Sequence, residues 1–451
     1  MKTFSINTLG CKVNQYESQQ IRQLLEQFGL RQVDIAEKPE LAVINTCCVT
    51  HTASAKSRQQ IRKARKLNLD AAIVVAGCLP TAEIGELNFP GENIHIISHR
   101  ASLSATLAQI TGAKNAAYSS QNLHFSPKNH IETPKMTPLS AFRGHTRAFL
   151  KIQDGCDGYC SYCIVPKTRP FVQNKPPEIV LEEAGALVRA GHKEIVVTGI
   201  FLGAYGQKTV RRKNWPTLQN NKLAELLDKM AKIPNLERIR LSSLEPADVT
   251  ARLLDTLCKH LNIMPHLHLS LQSGSNAILK KMGRQYDADE FSDKIALIKS
   301  RLDRPAITTD IIVGFPGEND ADFEQTVNLA KHVGFAKMHI FSFSPRKGTP
   351  AANMQDPVDN GVIKQRMRIL RDLNYRLESK FREQFIGDTA TILTENNNQR
   401  LCGRCERYFM VYLENSGKHP EKNELIKVKL LKNVENGMLG KIKPKKTNTI
   451  S

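Results

Sequence analysis

Three cysteines each stand just past the end of a short strand-like run, and that repetition limits the fold more than any other feature. Cys11 follows Thr3–Leu9, Cys47 follows Leu41–Asn45 and Cys78 follows Ala71–Ala76. Helical signals lie between the runs: Ile21, Leu24, Leu25 and Phe28 recur at helical spacing within residues 14–28, and a basic helix is expected from Ala53 to Lys66. A continuous apolar run such as Ala71–Ala76 suits a parallel sheet covered on both faces. The βαβαβ order predicts an α/β chain whose residues 1–112 form a doubly wound parallel-sheet domain. Ligands of such sheets gather beyond the carboxyl ends of the strands, so neighbouring strands would bring the three thiols to one edge. The competing reading is three idle core thiols, since cysteine is often fully buried; the repeated placement favours a cluster. Cys48 should diverge from its neighbour Cys47 and is expected to be a bystander, with a substitute ligand as the alternative.

At 451 residues the chain has room for about three domains. Residues 113–141 are polar and aperiodic and read as a linker. Residues 142–374 resume the alternation, with strand candidates at Ala148–Ile152, Glu194–Thr198, Arg238–Ser242, His266–Leu271, Thr308–Val313 and Met338–Phe343. Helices are expected at Glu178–Ala190 and Asn360–Asn374. Six βα units in series suit a partial (β/α)6 barrel, with an open doubly wound sheet as the alternative that periodicity does not separate. Residues 375–446 change character. Thr389–Thr394, Tyr408–Leu413 and Leu425–Leu431 read as strands of a small all-β barrel, with Lys427 and Lys429 on one face. The end, Lys441–Lys446, reads as a solvated basic tail.

Lys and Arg number 64 against 44 Asp and Glu, a net charge of +20. Solubility is one use of such an excess; a polyanionic partner, RNA or DNA, is the other. Lys56, Arg58, Arg62, Lys63, Arg65 and Lys66 are the candidate RNA-facing helix. No apolar run reaches the ~20 residues of a membrane helix, and the amino terminus lacks the apolar core of a signal peptide, so a cytoplasmic protein without membrane contact is expected. In a reducing compartment the ten cysteines should not build disulfides; clustered ones are metal ligands or redox groups.

Cys156, Cys160 and Cys163 form C-x3-C-x2-C directly after the first strand of the middle region. Structural zinc takes four ligands, and no fourth Cys or His lies near. A [4Fe–4S] cluster is held by cysteine, and three would leave one iron open. A structural metal loop with a distant fourth ligand is the bland alternative. Cys258 is expected to pack within an amphipathic helix, Leu253–Leu261. Cys402 and Cys405 read as incidental thiols in a turn, and Trp215 as a loop anchor.

The C-x3-C-x2-C string at the start of a βα series resembles the radical S-adenosylmethionine (SAM) superfamily. With the strand-end cysteines ahead of it, the whole chain resembles the methylthiotransferase family. Supporting strings are Leu9-Gly-Cys-Lys-Val-Asn-Gln-Tyr-Glu-Ser18, Asn45-Thr-Cys47, Thr198-Gly-Ile-Phe-Leu-Gly-Ala-Tyr-Gly206, Arg240-Leu-Ser-Ser-Leu-Glu-Pro246, Leu271-Gln-Ser-Gly274, Asp310-Ile-Ile-Val-Gly-Phe-Pro-Gly-Glu318 and Ser344-Pro-Arg-Lys-Gly-Thr-Pro350. The resemblance implies a radical SAM barrel between the amino-terminal cluster domain and a β-barrel TRAM domain. It implies two [4Fe–4S] clusters: Cys156, Cys160 and Cys163 for the one that binds SAM, and Cys11, Cys47 and Cys78 for an auxiliary one. It also implies that one SAM methylates sulfur at the auxiliary cluster while a second is split into methionine and a 5′-deoxyadenosyl radical. Thr198, Gly199, Ser243, Glu245, Gln272 and Asp310 are the candidate SAM contacts; turn or capping roles are their bland alternatives.

Lys12-Val-Asn14 most resembles the type that methylthiolates N6-threonylcarbamoyladenosine at position 37 of tRNA. The implied partners are a tRNA anticodon loop and an electron-donor protein; the sulfur donor is left open. Sister types act on isopentenyladenosine in tRNA or on an aspartate of a ribosomal protein. A non-catalytic iron–sulfur RNA-binding protein is the alternative from another class. The family's Arg-Gly and Arg-Ser-Arg pattern after the cluster loop is altered here: Pro170 follows Arg169, and the later positions read Gln173-Asn-Lys175.

Overall fold

The computed structural model describes residues 1–89, 93–113, 137–217, 219–397, 400–414 and 420–443. Most of the expected linker and the basic tail beyond 443 lie outside the described residues.

The amino-terminal unit is a five-stranded parallel sheet: β1 (Thr3–Thr8), β2 (Arg31–Gln32), β3 (Leu41–Thr46), β4 (Ala72–Gly77) and β5 (Ile94–Ile96), in the order β2-β1-β3-β4-β5. Its helices are α1 (Lys12–Gln27), α2 (His51–Leu67), α3 (Cys78–Ala82) and α4 (Leu103–Thr111). Every residue of β3 and β4 is buried, as continuous apolar runs covered on both faces should be. Ile21, Leu24 and Leu25 of α1 pack with Phe4, Val43 and Val74 on one face. Ile61 and Ala64 of α2 cover Ile44, Ile73 and Val75 on the other.

The central unit holds β6 (Ala148–Lys151), a hairpin of β7 (Gln153–Asp154) and β8 (Gln173–Asn174), then β9 (Glu194–Thr198), β10 (Arg238–Leu241), β11 (Ser243–Leu244), β12 (His266–Leu269), β13 (Ala306–Val313) and β14 (Lys337–Ser342). Its helices are α5 (Val165–Thr168), α6 (Pro177–Arg189), α7 (Lys222–Met230), α8 (Ala251–Lys259), α9 (Asn276–Lys281), α10 (Ala288–Arg301), α11 (Asp320–Val333) and α12 (Asn360–Glu383). All the barrel strands pair in parallel and in chain order: β6-β9-β10, then β11-β12-β13-β14. Residues 238–244 act as one strand interrupted at Ser242, whose first half pairs with β9 and second half with β12. A sequential order with no reversal is a partial barrel, and it settles the choice against an open doubly wound sheet.

The carboxy-terminal unit is a closed barrel of β15 (Thr389–Asn397), β16 (Arg400–Arg404), β17 (Met410–Leu413), β18 (Leu425–Val434) and β19 (Gly437–Ile442), in the order β15-β16-β17-β19-β18. Ile392, Val411, Val428, Leu430 and Met438 fill it. The sequence reading missed β16 and β19. Both carry glycine where a side chain has no room: a Cβ on Gly403 would come 2.4 Å from the Leu393 carbonyl oxygen, and one on Gly437 2.3 Å from that of Met410. The helix expected to end near Asn374 continues as α12 to Glu383, which carries Phe381 and Phe385 into this barrel's core. Arg240 ties the two barrels together. Fully buried, it donates to Glu194 at 2.7 Å and to the carbonyls of Cys405 and Glu406 at 2.6 and 2.7 Å.

Candidate functional site

Parallel register brings the first cysteine set to one edge. Thr8 lies opposite Asn45, Asn45 opposite Ala76, and Thr46 opposite Gly77, so the chain leaves β1, β3 and β4 side by side. Cys11 is the residue before α1 and Cys78 opens α3. Gly77 makes the second turn possible. Its φ is +95°, and a Cβ there would lie 2.4 Å from the Thr46 carbonyl oxygen. Thr46 Oγ1 donates to Ala76 O at 2.6 Å and accepts from the amide of Leu79 at 3.2 Å, pinning the Cys78 turn to the Cys47 strand. Burial pushes the Cys47 thiol up to about 11, and the neighbouring Cys78 and Cys11 sulfurs add to the shift.

Cys48, expected to be a bystander, adjoins Cys78. It is fully buried with Cys78, Leu79 and Ile164, and its thiol donates to Cys78. That bond draws the Cys78 thiol well below its ordinary range; burial opposes the shift, and the charges of Arg169 and Arg100 reinforce it.

The second set sits on one loop after β7. Gly155 turns the chain into it with φ +77°, where a Cβ would collide with the Phe171 carbonyl oxygen at 1.7 Å. The Gly158 amide donates to Cys156 Sγ at 3.3 Å. Arg284 Nη1 donates to Cys160 Sγ at 3.1 Å and to the Tyr162 hydroxyl at 3.2 Å. Burial raises Cys156 and Cys163 to about 12, and the facing sulfurs of the set add to both.

The two sets are neighbours. Cys78 is among the groups whose charge acts on Cys163, and Ile164, next to Cys163, packs against Cys48, Cys78 and Leu79. Among the described residues no three His, Cys, Asp or Glu side chains form a single-ion site. A [4Fe–4S] cube takes one thiolate per iron. Three neighbouring thiols with amide and guanidinium donors to their sulfurs fit that group, and each set would hold one such cluster.

The six candidate SAM contacts fall around the barrel's carboxyl ends, apart from Asp310, which lies midway along β13. Thr198 is buried at the end of β9, and Gly199 packs on Gln153. Ser243 is exposed on β11. Glu245 is bound by Arg284 at 2.5 Å and by Arg212 at 3.0 Å. Gln272 holds φ +69° with its amide on the Asp310 carbonyl at 2.9 Å. Asp310 takes a bond from His268 Nε2 at 3.2 Å, and the His268 ring lies 5.8 Å from that of His339. Lys12, the first residue of α1, faces this group: its charge acts on Asp310 and His339.

Arg284 and Arg100 escaped the sequence reading, which had Arg169 only as part of an altered pattern. Arg169 is buried although Pro170 follows it. It donates to both oxygens of Glu17 at 2.7 and 2.8 Å, to Asp154 at 2.7 Å and to Asn14 at 3.2 Å. The altered positions have local jobs: Asn174 binds the backbone of Gly206 and Gln207, and Lys175 bonds to the Tyr16 hydroxyl. Trp215 is a loop anchor, with its Nε1 on the Thr209 carbonyl at 2.9 Å and its ring beside the Cys156 cluster of apolar residues. On α2, Arg58 is spent on Glu83, while Lys56, Arg62, Lys63 and Lys66 are exposed. Cys258 does not pack inward; it is exposed and donates to the Arg301 carbonyl at 3.4 Å, because Leu253, Leu254 and Leu257 take the buried face of α8. Cys402 and Cys405 are buried in and beside the small barrel.

A partial barrel with a three-thiol loop after its first strand, capped by a second three-thiol site, defines a radical SAM enzyme with an auxiliary cluster. Comparison with known proteins agrees. The radical SAM superfamily pattern matches residues 150–330, and the pattern described as uncharacterized protein family UPF0004 matches residues 3–97. The threonylcarbamoyladenosine tRNA methylthiotransferase MtaB of Bacillus subtilis is 35% identical over 96% of this chain and 94% of its own. The tRNA-2-methylthio-N(6)-dimethylallyladenosine synthase of Pelotomaculum thermopropionicum is 33% identical over 89% of each chain. The cobalamin- and [4Fe-4S]-bound radical SAM methyltransferase TsrM of Kitasatospora setae shares the fold, with a TM-score of 0.52 and 14% identity over 78% of this chain and 77% of that one. The chain belongs to the tRNA methylthiotransferase family. It is an enzyme of the transferase class, with tRNA as substrate and with SAM and [4Fe–4S] clusters as cofactors. No helix among the described residues is long and apolar enough to cross a membrane.

Proposed function

We propose that the enzyme methylthiolates N6-threonylcarbamoyladenosine at position 37, in the anticodon loop of tRNA. The observation that carries the methylthiolation is that the two sets are neighbours: the charge of Cys78 acts on Cys163, and Ile164 packs against Cys78 and Leu79, so a base bound beside both would meet the sulfur and the radical source. We assign Cys156, Cys160 and Cys163 to the cluster that binds SAM, and Cys11, Cys47 and Cys78 to the auxiliary one. Adenine C2–H is neither acidic nor a leaving-group position, so the cofactor supplies the radical that removes its hydrogen. The protein's residues bind and orient. Arg284 holds the Cys160 end of the loop and Glu245 together. Thr198, Gly199, Ser243, Glu245, Gln272 and Asp310 are the proposed SAM-facing set at the barrel mouth.

Lys12 supports this base among those of the sister enzymes. The threonylcarbamoyl group carries a carboxylate, whereas an isopentenyl group is apolar, and the Lys12 cation, whose charge reaches Asp310 and His339, suits the former. Exposed Lys56, Arg62, Lys63 and Lys66, with Lys427 and Lys429, offer sequence-independent phosphate contacts. The cytoplasm is the compartment that holds the substrate, and a reductant protein there would supply the electron.

The test is mass spectrometry of tRNA nucleosides from a bacterial host that lacks its own methylthiotransferases and retains both precursors. A new methylthio-threonylcarbamoyladenosine is expected. Methylthio-isopentenyladenosine instead would overturn the choice of base and keep the chemistry.

A further inference from the structure

Successive side chains of a strand point to opposite faces, and in a barrel one face meets the helices while the other meets the lumen. Leu269, Ile311 and Met338 belong to the core that holds Leu370 and Leu373 of α12. His268, Asp310, His339 and Phe341 alternate with them and so face the lumen. Parallel register sets this inner face in two tiers. In the upper tier Phe341 lies opposite Ile312, which packs on the same apolar group as Tyr162 of the Cys160 loop. Phe341 is 44% exposed there. In the lower tier, one step further from the thiols, His339 lies opposite Asp310. We propose that this face reads the nucleoside: Phe341 lies against the flipped adenine, and His339, together with Lys12, binds the carboxylate of its threonylcarbamoyl group. The proposal rests on the threonylcarbamoyladenosine reading and names the side chains that select it.

The chemistry of adenine demands two tiers. C2 and C6 lie on either side of N1, so a base that turns C2 to the thiol sets carries its N6 substituent away from them. An exposed aromatic face takes any purine by stacking, which makes Phe341 indifferent to the substituent. The lower tier is the selective one. Both nitrogens of His268 are engaged, Nε2 with Asp310 at 3.2 Å and Nδ1 with the Thr308 hydroxyl at 3.0 Å. The His339 ring, 5.8 Å from that of His268, is exposed and makes no hydrogen bond among the described residues. Burial lowers its pKa against the charge of Asp310, so the ring is neutral at neutral pH and offers one N–H. Lys12 is half-buried and has neither hydrogen bond nor ion pair among the described residues, and its charge reaches His339. A carboxylate gives both donors a partner; an isopentenyl group would leave both without one. Below this tier the lumen has a floor: the His266 ring lies 4.9 Å and the Arg240 guanidinium 4.7 Å from the ring of Tyr408 of the small barrel.

The test compares three anticodon stem-loop RNAs that differ only at position 37: threonylcarbamoyladenosine, isopentenyladenosine and plain adenosine. Their affinities for the full chain, reconstituted with its clusters, are read anaerobically by fluorescence anisotropy, with iron per chain as the check on folding. His339→Leu is expected to weaken binding of the threonylcarbamoyl loop by about tenfold or more, the size of a hydrogen bond to a charged group, while the plain loop binds as before. His339→Gln keeps an N–H donor and is expected to recover part of the loss. Phe341→Leu is expected to weaken the threonylcarbamoyl and plain loops alike, by about tenfold, the size of one base stack, and Phe341→Tyr to restore both. Equal weakening of the two loops in His339→Leu, or none, overturns the proposal, as does unchanged binding in Phe341→Leu. If His339→Leu fails to hold iron, His339→Glu decides in its place. A carboxylate facing the threonyl carboxylate should make the modified loop bind more weakly than the plain one, and an unaltered order overturns the proposal. A parent enzyme that prefers the isopentenyl loop removes the underlying reading. A parent that prefers the threonylcarbamoyl loop, with that preference intact in His339→Leu, removes this assignment alone.

Discussion

The two thiol sets do the same structural task in opposite ways. Cys156, Cys160 and Cys163 lie within eight residues on one loop, and their spacing alone gathers them. Cys11, Cys47 and Cys78 span 68 residues and meet only because β1, β3 and β4 are neighbours in parallel register. The local set therefore depends on one turn, at Gly155, while the assembled set depends on a whole sheet and on the charges around it. Their surroundings differ accordingly. Among the described residues Arg284 alone donates a side-chain bond to the loop set's sulfur, at Cys160. The assembled set has Cys48, Arg100 and Arg169 acting on Cys78.

Removing one thiol from each set has the largest expected effect. Cys78→Ala is expected to abolish methylthio product while 5′-deoxyadenosine still forms from SAM; Cys160→Ala is expected to abolish both. Loss of SAM cleavage in Cys78→Ala would show that the sets are not independent. Next in size is Glu17→Gln. It leaves Arg169 and Lys151 buried with Asp154 as their one remaining carboxylate partner among the described residues and should cost about 3–5 kcal/mol, the range for breaking a buried ion pair, as read by denaturant unfolding. Burial opposes ionisation of Glu17, but Arg169, Lys151 and Arg100 hold its carboxyl at about 2. A carboxyl lowered on folding stabilises the fold above its ordinary value near 4.5 and loses that contribution as pH falls through about 2. Unfolding measured from pH 5 down to pH 2 should show this loss in the parent chain and not in Glu17→Gln.

The turn glycines come next. Gly155→Ala and Gly77→Ala each force a side chain into left-handed backbone, about 1–3 kcal/mol before any clash. Gly155→Ala should lower iron at the loop set only, and Gly77→Ala at the assembled set only. Lys12→Gln sharpens the reading of the barrel mouth: KM for threonylcarbamoyladenosine-bearing tRNA should rise several-fold with kcat little changed. The smallest effect belongs to Cys258→Ser. On the surface and away from both sets, it should shift stability by no more than about 0.5 kcal/mol.

Much of this was legible in the sequence because it is written in local pattern. The apolar runs of β3 and β4, the six barrel strands and the loop motif are periodicity and spacing. The edge shared by Cys11, Cys47 and Cys78 was legible one step further, since parallel strands end together. What was not legible depends on contacts distant in sequence. Arg169 meets Glu17 across 152 residues, and Arg284 meets Cys160 across 124. Cys48 was misplaced because alternation along an extended chain says where a side chain starts, not that the α3 turn brings Cys78 back to meet it. Cys258 was misplaced by one step around a helix whose other apolar positions already filled the buried face. The small barrel lost two strands to glycine, which ordinary strand propensity counts against and close backbone packing requires.

We propose that the six cysteines make two separate, neighbouring cluster sites. The direct measurement is iron per chain, with Mössbauer spectra, in the parent enzyme and in the two triple variants Cys11/Cys47/Cys78→Ala and Cys156/Cys160/Cys163→Ala. Two [4Fe–4S] clusters predict about eight irons in the parent and about four in each variant, with SAM cleavage surviving only where Cys156, Cys160 and Cys163 remain. Full iron in either variant, or SAM cleavage without those three thiols, would contradict it.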